Sequence, residues 1–172
     1  NSLFKKSILE EPDINFLDGF INSLYLSIKN LKKISRLSGP TVTRGFLSKK
    51  DLLKNKKHLF IGLEREDLKV LDEKFPYLKN TLSYNPKIIK GLNFSKKEIK
   101  TISNLINKNN INYIWVGIGS PKQNILSSEL FKKTSPKYFL NVGAALDFIL
   151  GKKIEAPTTI KKLGIEWLYR LI

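Results

Sequence analysis

Ile111-Asn112-Tyr113-Ile114-Trp115-Val116-Gly117-Ile118-Gly119-Ser120-Pro121 is the stretch that decides the fold. Residues 111–116 form a short run rich in aromatic and branched apolar side chains, the signature of a strand. Two glycines and a serine then turn the chain. Pro121, with its fixed φ and missing N–H, suits the first turn of a helix, predicted to run to about Lys133. A strand that passes through glycines straight into a helix is half of a β-α-β unit.

The same alternation extends in both directions. Downstream, Lys137 to Val142 reads as a strand ending in Gly143, and Pro157 opens or precedes a last helix through Leu171. Upstream, Ser95-Lys96-Lys97-Glu98 has the form of a capping box, with Ser95 capping a helix to about Lys108 and Glu98 reaching back. Asn80 to Tyr84 is a weak strand, Glu64 to Phe75 a helix stopped near Pro76, and Leu59-Phe60-Ile61-Gly62 a buried strand meeting a glycine. Lys49 to Leu53 forms a short helix, and Ser38-Gly39-Pro40 a turn. Ile21, Leu24, Tyr25, Ile28 and Leu31 mark one face of a helix over 21–34, and Ile14 to Leu17 a short strand ending at Asp18-Gly19. Strands and helices in alternation imply an α/β fold: a parallel sheet with helices on both faces, as a single domain over residues 1–172. Ligands of such sheets lie at the carboxyl ends of the strands. Three polar or glycine-rich loops meet there: Asp18-Gly19, Gly117-Ile118-Gly119-Ser120 and Asn141-Val142-Gly143.

Composition narrows the chemistry. The 172 residues include no cysteine, which removes disulfides, thiolate metal sites and cysteine nucleophiles. The one histidine, His58, follows Lys56-Lys57 and reads as the solvated entrance to a strand, with a structural role. Net charge is +16, from 31 Lys and Arg against 15 Asp and Glu. Such a field attracts polyanions, but lysines spread through every segment also describe an ordinary solvated surface. With no arginine-rich block, a nucleic acid is not the expected partner, and a basic nucleic-acid-binding module is the outlying alternative. No apolar run is long enough to span a membrane.

The glycine turn is the best local motif. Gly117 and Gly119 let backbone approach a ligand, and the helix beyond Pro121 offers free N–H groups to a phosphate. It lacks the third glycine of a dinucleotide fingerprint and the Gly-Lys-Ser/Thr of a P-loop, so a tight turn with no ligand explains it equally well.

Several motifs together resemble the WecG/TagA/CpsF family of bacterial glycosyltransferases. They are Val116 to Gln123, Val142 to Lys152, Ala156-Pro157 and Leu163 to Leu171, with Leu17-Asp18-Gly19 and Arg36-Leu37-Ser38-Gly39-Pro40 upstream. The resemblance implies a Rossmann-like fold and inverting, metal-independent transfer of a sugar from a UDP-sugar. The implied acceptor is a polyprenyl-diphosphate-linked glycan, and the products feed teichoic acid, common-antigen or capsular polysaccharide synthesis. It also implies a cytoplasmic protein held peripherally at the anionic inner face of the cell membrane, with no cofactor. A homo-oligomer is left open.

Individual residues suit that chemistry. Asp18 would be the catalytic base for the acceptor hydroxyl, unless it only caps the helix that follows. No Asp-x-Asp pair is present, and Glu64-Arg65-Glu66 sits at a helix start as dipole-favourable charge. Arg36 and Arg170, at the family's positions, would then neutralise the diphosphate. Gln123 would bond sugar hydroxyls beside Gly117, Gly119 and Pro121. Asp147, in an apolar segment expected to be mostly buried, would orient a hydroxyl, hold an arginine or cap a turn. Glu166 and Trp167 tie the last helix to the core or face a membrane.

Three departures bear on activity. Asn124 stands where the family usually has Glu, and Glu155 where it usually has Arg. The chain is also short before Asp18 and after the Tyr169-Arg170-Leu171 element, which leaves a binding-only relative as the runner-up to a truncated enzyme.

Overall fold

The computed structural model describes residues 25, 27–31, 37–78, 80–87, 93–135, 137–157 and 159–160. In chain order these form α1 (Gly39–Leu47), α2 (Lys50–Leu53), β1 (His58–Ile61), α3 (Arg65–Lys74), β2 (Thr81–Tyr84), α4 (Lys96–Lys108), β3 (Tyr113–Val116), α5 (Lys122–Phe131), β4 (Tyr138–Asn141) and α6 (Ala145–Leu150). The strands make one parallel sheet in the order β2-β1-β3-β4. This is the expected α/β, Rossmann-like arrangement. The expected strand over Ile14 to Leu17, Asp18, Arg36 and the last helix from Lys161 onward lie outside the described residues.

Inner strands β1 and β3 are buried along their whole length, while β4 is exposed at both ends. Successive side chains point to opposite faces, and the sequence uses this to build two different layers. Phe60, Tyr113 and Trp115 pack against α1, α2, α3 and α6; Leu59, Ile61, Ile114 and Val116 pack against α4 and α5. The first layer is aromatic: Trp115 stacks on Phe60 at 5.6 Å, and Phe46 of α1 meets Trp115 edge-on, also at 5.6 Å.

Several sequence readings change. Ser38-Gly39-Pro40 opens helix α1 instead of turning the chain; Ser38 is its extended N-cap, and proline fits the first turn, where its N–H is not needed. Burial of Thr43 and Leu47 outweighs the β-branched residues that argue against a helix there. Tyr25 and residues 27–29 are helical as expected, but a turn follows at residues 30–31, with Leu31 at φ 50°. Ser95 does cap α4, accepting from Glu98 N at 3.0 Å, but the Glu98 carboxylate does not reach back. Its Oε1 accepts from Tyr84 Oη at 2.9 Å and Lys87 N at 3.0 Å, which ties α4 to the exit of β2. Burial, then the Glu98 carboxylate, pushes the Tyr84 hydroxyl up to about 12. Helix α6 had no counterpart in the sequence reading; it is only 145–150 and is closed by Gly151 at φ 80°.

His58 is structural but not solvated: its exposure is 0%. Its Nε2 lies 3.2 Å from Leu53 O, and Nδ1 accepts from Trp115 Nε1 at 3.3 Å. That pairing requires a neutral ring with the proton on Nε2. Desolvation accordingly lowers the His58 pKa from its ordinary value, only partly offset by the bond to Leu53.

Candidate active site

The strand order reverses between β1 and β3: the chain leaves β1 for β2 on one side, and β3 for β4 on the other. At such a switch point the loops diverge above the strand ends and leave a crevice. Its floor here is two glycines, Gly62 after β1 and Gly117 after β3.

The floor is sealed by the chain itself. A Cβ on Gly62 would lie 2.9 Å from Ile118 Cγ2 and 3.2 Å from the carbonyl carbon of Gly117. On Gly117 it would lie 3.0 Å from Leu146 Cδ1 and 3.4 Å from Gly143 O. Gly117 therefore lets turns pack against one another. Gly119 differs: at φ 83° its Cβ would meet nothing within 4 Å, so the open space of the turn lies on its side.

From Gly119 the chain enters α5. Gln123 N donates to Gly119 O at 3.0 Å and Asn124 N to Pro121 O at 3.1 Å. Pro121 is the N-cap residue, in helical conformation and after a cis peptide bond. The Gln123 amide lies over Gly143, where a Cβ would sit 3.3 Å from Oε1. Ser127 Oγ and Asn141 Oδ1, 2.6 Å apart, join α5 to the end of β4. The structure thus gathers Gly117, Gly119, Pro121, Gln123 and Gly143 at one place. Two side-chain atoms among these turns are buried without a hydrogen-bond partner: Gln123 Oε1 and Asn124 Oδ1.

Asp147 lies just beyond, in the first turn of α6. Its side chain keeps 32% exposure, more than a buried carboxylate would, and Lys153 Nζ is paired with it at 2.6 Å. A second acidic network borders the β1 side. Asp67 Oδ2 accepts from Glu64 N at 2.9 Å and Lys152 Nζ at 2.7 Å, and Asn85 Nδ2 donates to Glu64 Oε1. Glu64 thus sits at the start of α3, as its sequence position suggested. Glu155 forms an ion pair with Arg44 of α1. Asp18, Arg36 and Arg170 lie outside the described residues.

Sequence reasoning saw a strand meeting Gly62 but did not count that glycine among the site loops, although Phe60-Ile61-Gly62 repeats the strand-to-glycine signature of Trp115-Val116-Gly117. It also did not see that Asn124 would leave a buried oxygen unpaired, since pairing depends on the fold.

A family profile described as "Glycosyl transferase WecG/TagA/CpsF family" matches residues 4–172. The chain belongs to this family. A relative from Staphylococcus aureus (strain MRSA252), named N-acetylglucosaminyldiphosphoundecaprenol N-acetyl-beta-D-mannosaminyltransferase, is 40% identical over 62 residues. That stretch covers 35% of this chain and 24% of the relative.

Proposed function

We propose that this chain is a glycosyltransferase of cell-surface polysaccharide synthesis, moving a sugar from a UDP-sugar to a polyprenyl-diphosphate-linked acceptor with inversion and without a metal. The family match over residues 4–172 carries the reading. The crevice at the β1–β3 switch point, with open space at Gly119, supports it. N-acetylmannosamine, the sugar in the relative's name, is the first donor to test.

In this reading Asp18 takes the acceptor proton as its oxygen attacks the anomeric carbon, and the carbon–oxygen bond to UDP breaks with inversion. Arg36 and Arg170 hold the departing diphosphate through paired N–H donors. Gly117 and Pro121 shape the turn, Gly119 gives the ligand room, Gln123 bonds a hydroxyl, and Asp147 orients the sugar. The acceptor's lipid would bring the protein to an anionic cytoplasmic membrane surface; among the described residues no helix is long and apolar enough to cross it.

The test pairs calorimetry with turnover in the wild type and Asp18→Asn. UDP should bind both alike, while turnover falls about 10²–10⁴-fold in the variant, the usual worth of a general base. Absence of heat with millimolar UDP would remove the nucleotide site, and equal turnover would remove Asp18 as the base.

A further inference from the structure

The two unpartnered oxygens beside the glycine turn deserve a chemical reading of their own. Gln123 Oε1 and Asn124 Oδ1 are shut off from solvent, and among the described residues no donor reaches either. Buried polar atoms in folded proteins are nearly always hydrogen-bonded, so two orphans on consecutive residues mark a place where a partner is missing. Both are neutral acceptors. No Lys or Arg among the described residues sends a donor to these atoms. A second observation comes from the same turn: nothing lies within 4 Å of where a Gly119 Cβ would be, as also at Gly45 and Gly151, whereas the other strand-end glycines, Gly62, Gly117 and Gly143, are closed in by the chain. Missing donors and unfilled space thus occur within one strand-to-helix turn.

We propose that Asn124 is a specificity-determining residue whose side-chain oxygen, alongside that of Gln123, accepts a hydrogen bond from a neutral donor on the ligand, a hydroxyl or an amide N–H. The inference rests on the nucleotide-sugar reading above and adds to it which part of the ligand meets this turn. Ionised phosphate oxygens only accept, so they cannot supply the hydrogen that either carbonyl oxygen lacks. The donor that meets these oxygens belongs to the uncharged part of the ligand. Turning a terminal amide over about its last side-chain bond exchanges its oxygen and nitrogen, so either oxygen can be offered without moving the backbone. In a nucleotide sugar, the matching donors are hydroxyl and acetamido groups of the sugar, or the ribose hydroxyls and uracil N–H.

The experiment is calorimetry of the full chain with UDP and with UDP-N-acetylmannosamine, comparing wild type with Asn124→Leu and Asn124→Asp, each also melted without ligand. Leu keeps the volume and removes the acceptor; Asp keeps an acceptor of the same shape. We expect Asn124→Leu to bind UDP-N-acetylmannosamine about tenfold more weakly, the worth of one hydrogen bond. It should melt no lower than wild type, since an orphaned oxygen is gone, and Asn124→Asp should recover part of the affinity. Loss confined to the sugar nucleotide places the donor on the sugar. Equal loss with UDP places it on the nucleoside, and both support the proposal. Unchanged affinity in Asn124→Leu, with a raised melting temperature, would overturn it and leave the orphan as a packing fault. If Leu prevents folding, Asn124→Ala gives the same comparison. Wild type binding neither ligand would overturn the nucleotide-sugar reading and this inference together, whereas wild-type binding with indifferent variants overturns the inference alone.

Discussion

The amino and carboxyl ends of the parallel sheet are finished in opposite ways. At the amino end, Asn112 alone closes three bonds: its Oδ1 accepts from Lys57 N and its N donates to Lys57 O, both at 2.9 Å, and its carbonyl accepts from Tyr138 N at 3.1 Å. His58, the first residue of β1, bridges Leu53 O and the Trp115 indole beside it. At the carboxyl end, glycines at φ 97°, 83° and 52° stand where side chains would be, and two amide oxygens lack donors. Where polar groups are satisfied, the fold gains a definite register; where they are left open, a ligand has something to add.

The hardest test of this division is His58→Phe. Phenylalanine fills much the same space but leaves the Trp115 N–H buried without a partner, while Leu53 O loses the His58 ring and keeps Lys56 N at 3.2 Å. An orphaned buried donor costs about 1–3 kcal/mol and a lost hydrogen bond about 0.5–1.5 kcal/mol, so a loss of about 3 kcal/mol is expected in urea unfolding at neutral pH. UDP affinity of the folded fraction should not move. A large drop in affinity with little loss of stability would mean that the two ends are not separable.

At the other end, Gly62→Ala should do both kinds of harm, each more mildly. Its Cβ would press on Ile118 Cγ2 at 2.9 Å and on the Gly117 carbonyl carbon at 3.2 Å, and only the first of these can swing away. The backbone φ of 97° adds strain that glycine avoids. About 2 kcal/mol of stability should be lost. The turn after β3 should shift, so UDP-sugar affinity should fall as well. Affinity intact at reduced stability would show that the ligand does not use this floor.

Strand and helix order was legible because the inner strands are short apolar runs ending in glycine, a pattern that owes nothing to distant contacts. The glycine turn was legible for the same reason, since Gly117 to Pro121 is a local signal. What escaped depends on partners far along the chain. The helix at Gly39–Leu47 exists because Phe46 and Leu47 find the aromatic layer of Phe60 and Trp115, and no local count of β-branched residues foretells that. Glu98 answers Tyr84 and Lys87 instead of its own cap because β2 ends beside it. His58 sits among lysines in sequence, and its burial comes from Trp115, 57 residues away. The orphaned oxygen of Asn124 is likewise invisible in the letters, because an absent partner can be recognised only once the neighbours are placed.

Acid sharpens the comparison with the smallest expected effect. Burial holds the His58 pKa below its ordinary value of 6.5, so the folded chain keeps this ring neutral at a pH where the unfolded chain protonates it. The unfolded state then binds the extra proton, and stability must fall as pH falls. The contribution is complete above about 6.5 and is lost progressively from there down to the folded-state pKa, at no more than about 1.4 kcal/mol per pH unit for a single proton. His58 is the chain's one histidine, so no other side chain with an ordinary pKa changes charge across that window. Urea midpoints measured from pH 7.5 to 5.5 should therefore decline for the wild type and stay nearly level for His58→Phe, whose losses are already taken at every pH. Parallel slopes in the two proteins would mean that the folded ring takes up its proton at the same pH as the unfolded one. A protonated ring has no acceptor for the Trp115 N–H, so that hydrogen bond would not be what secures the amino end of the sheet.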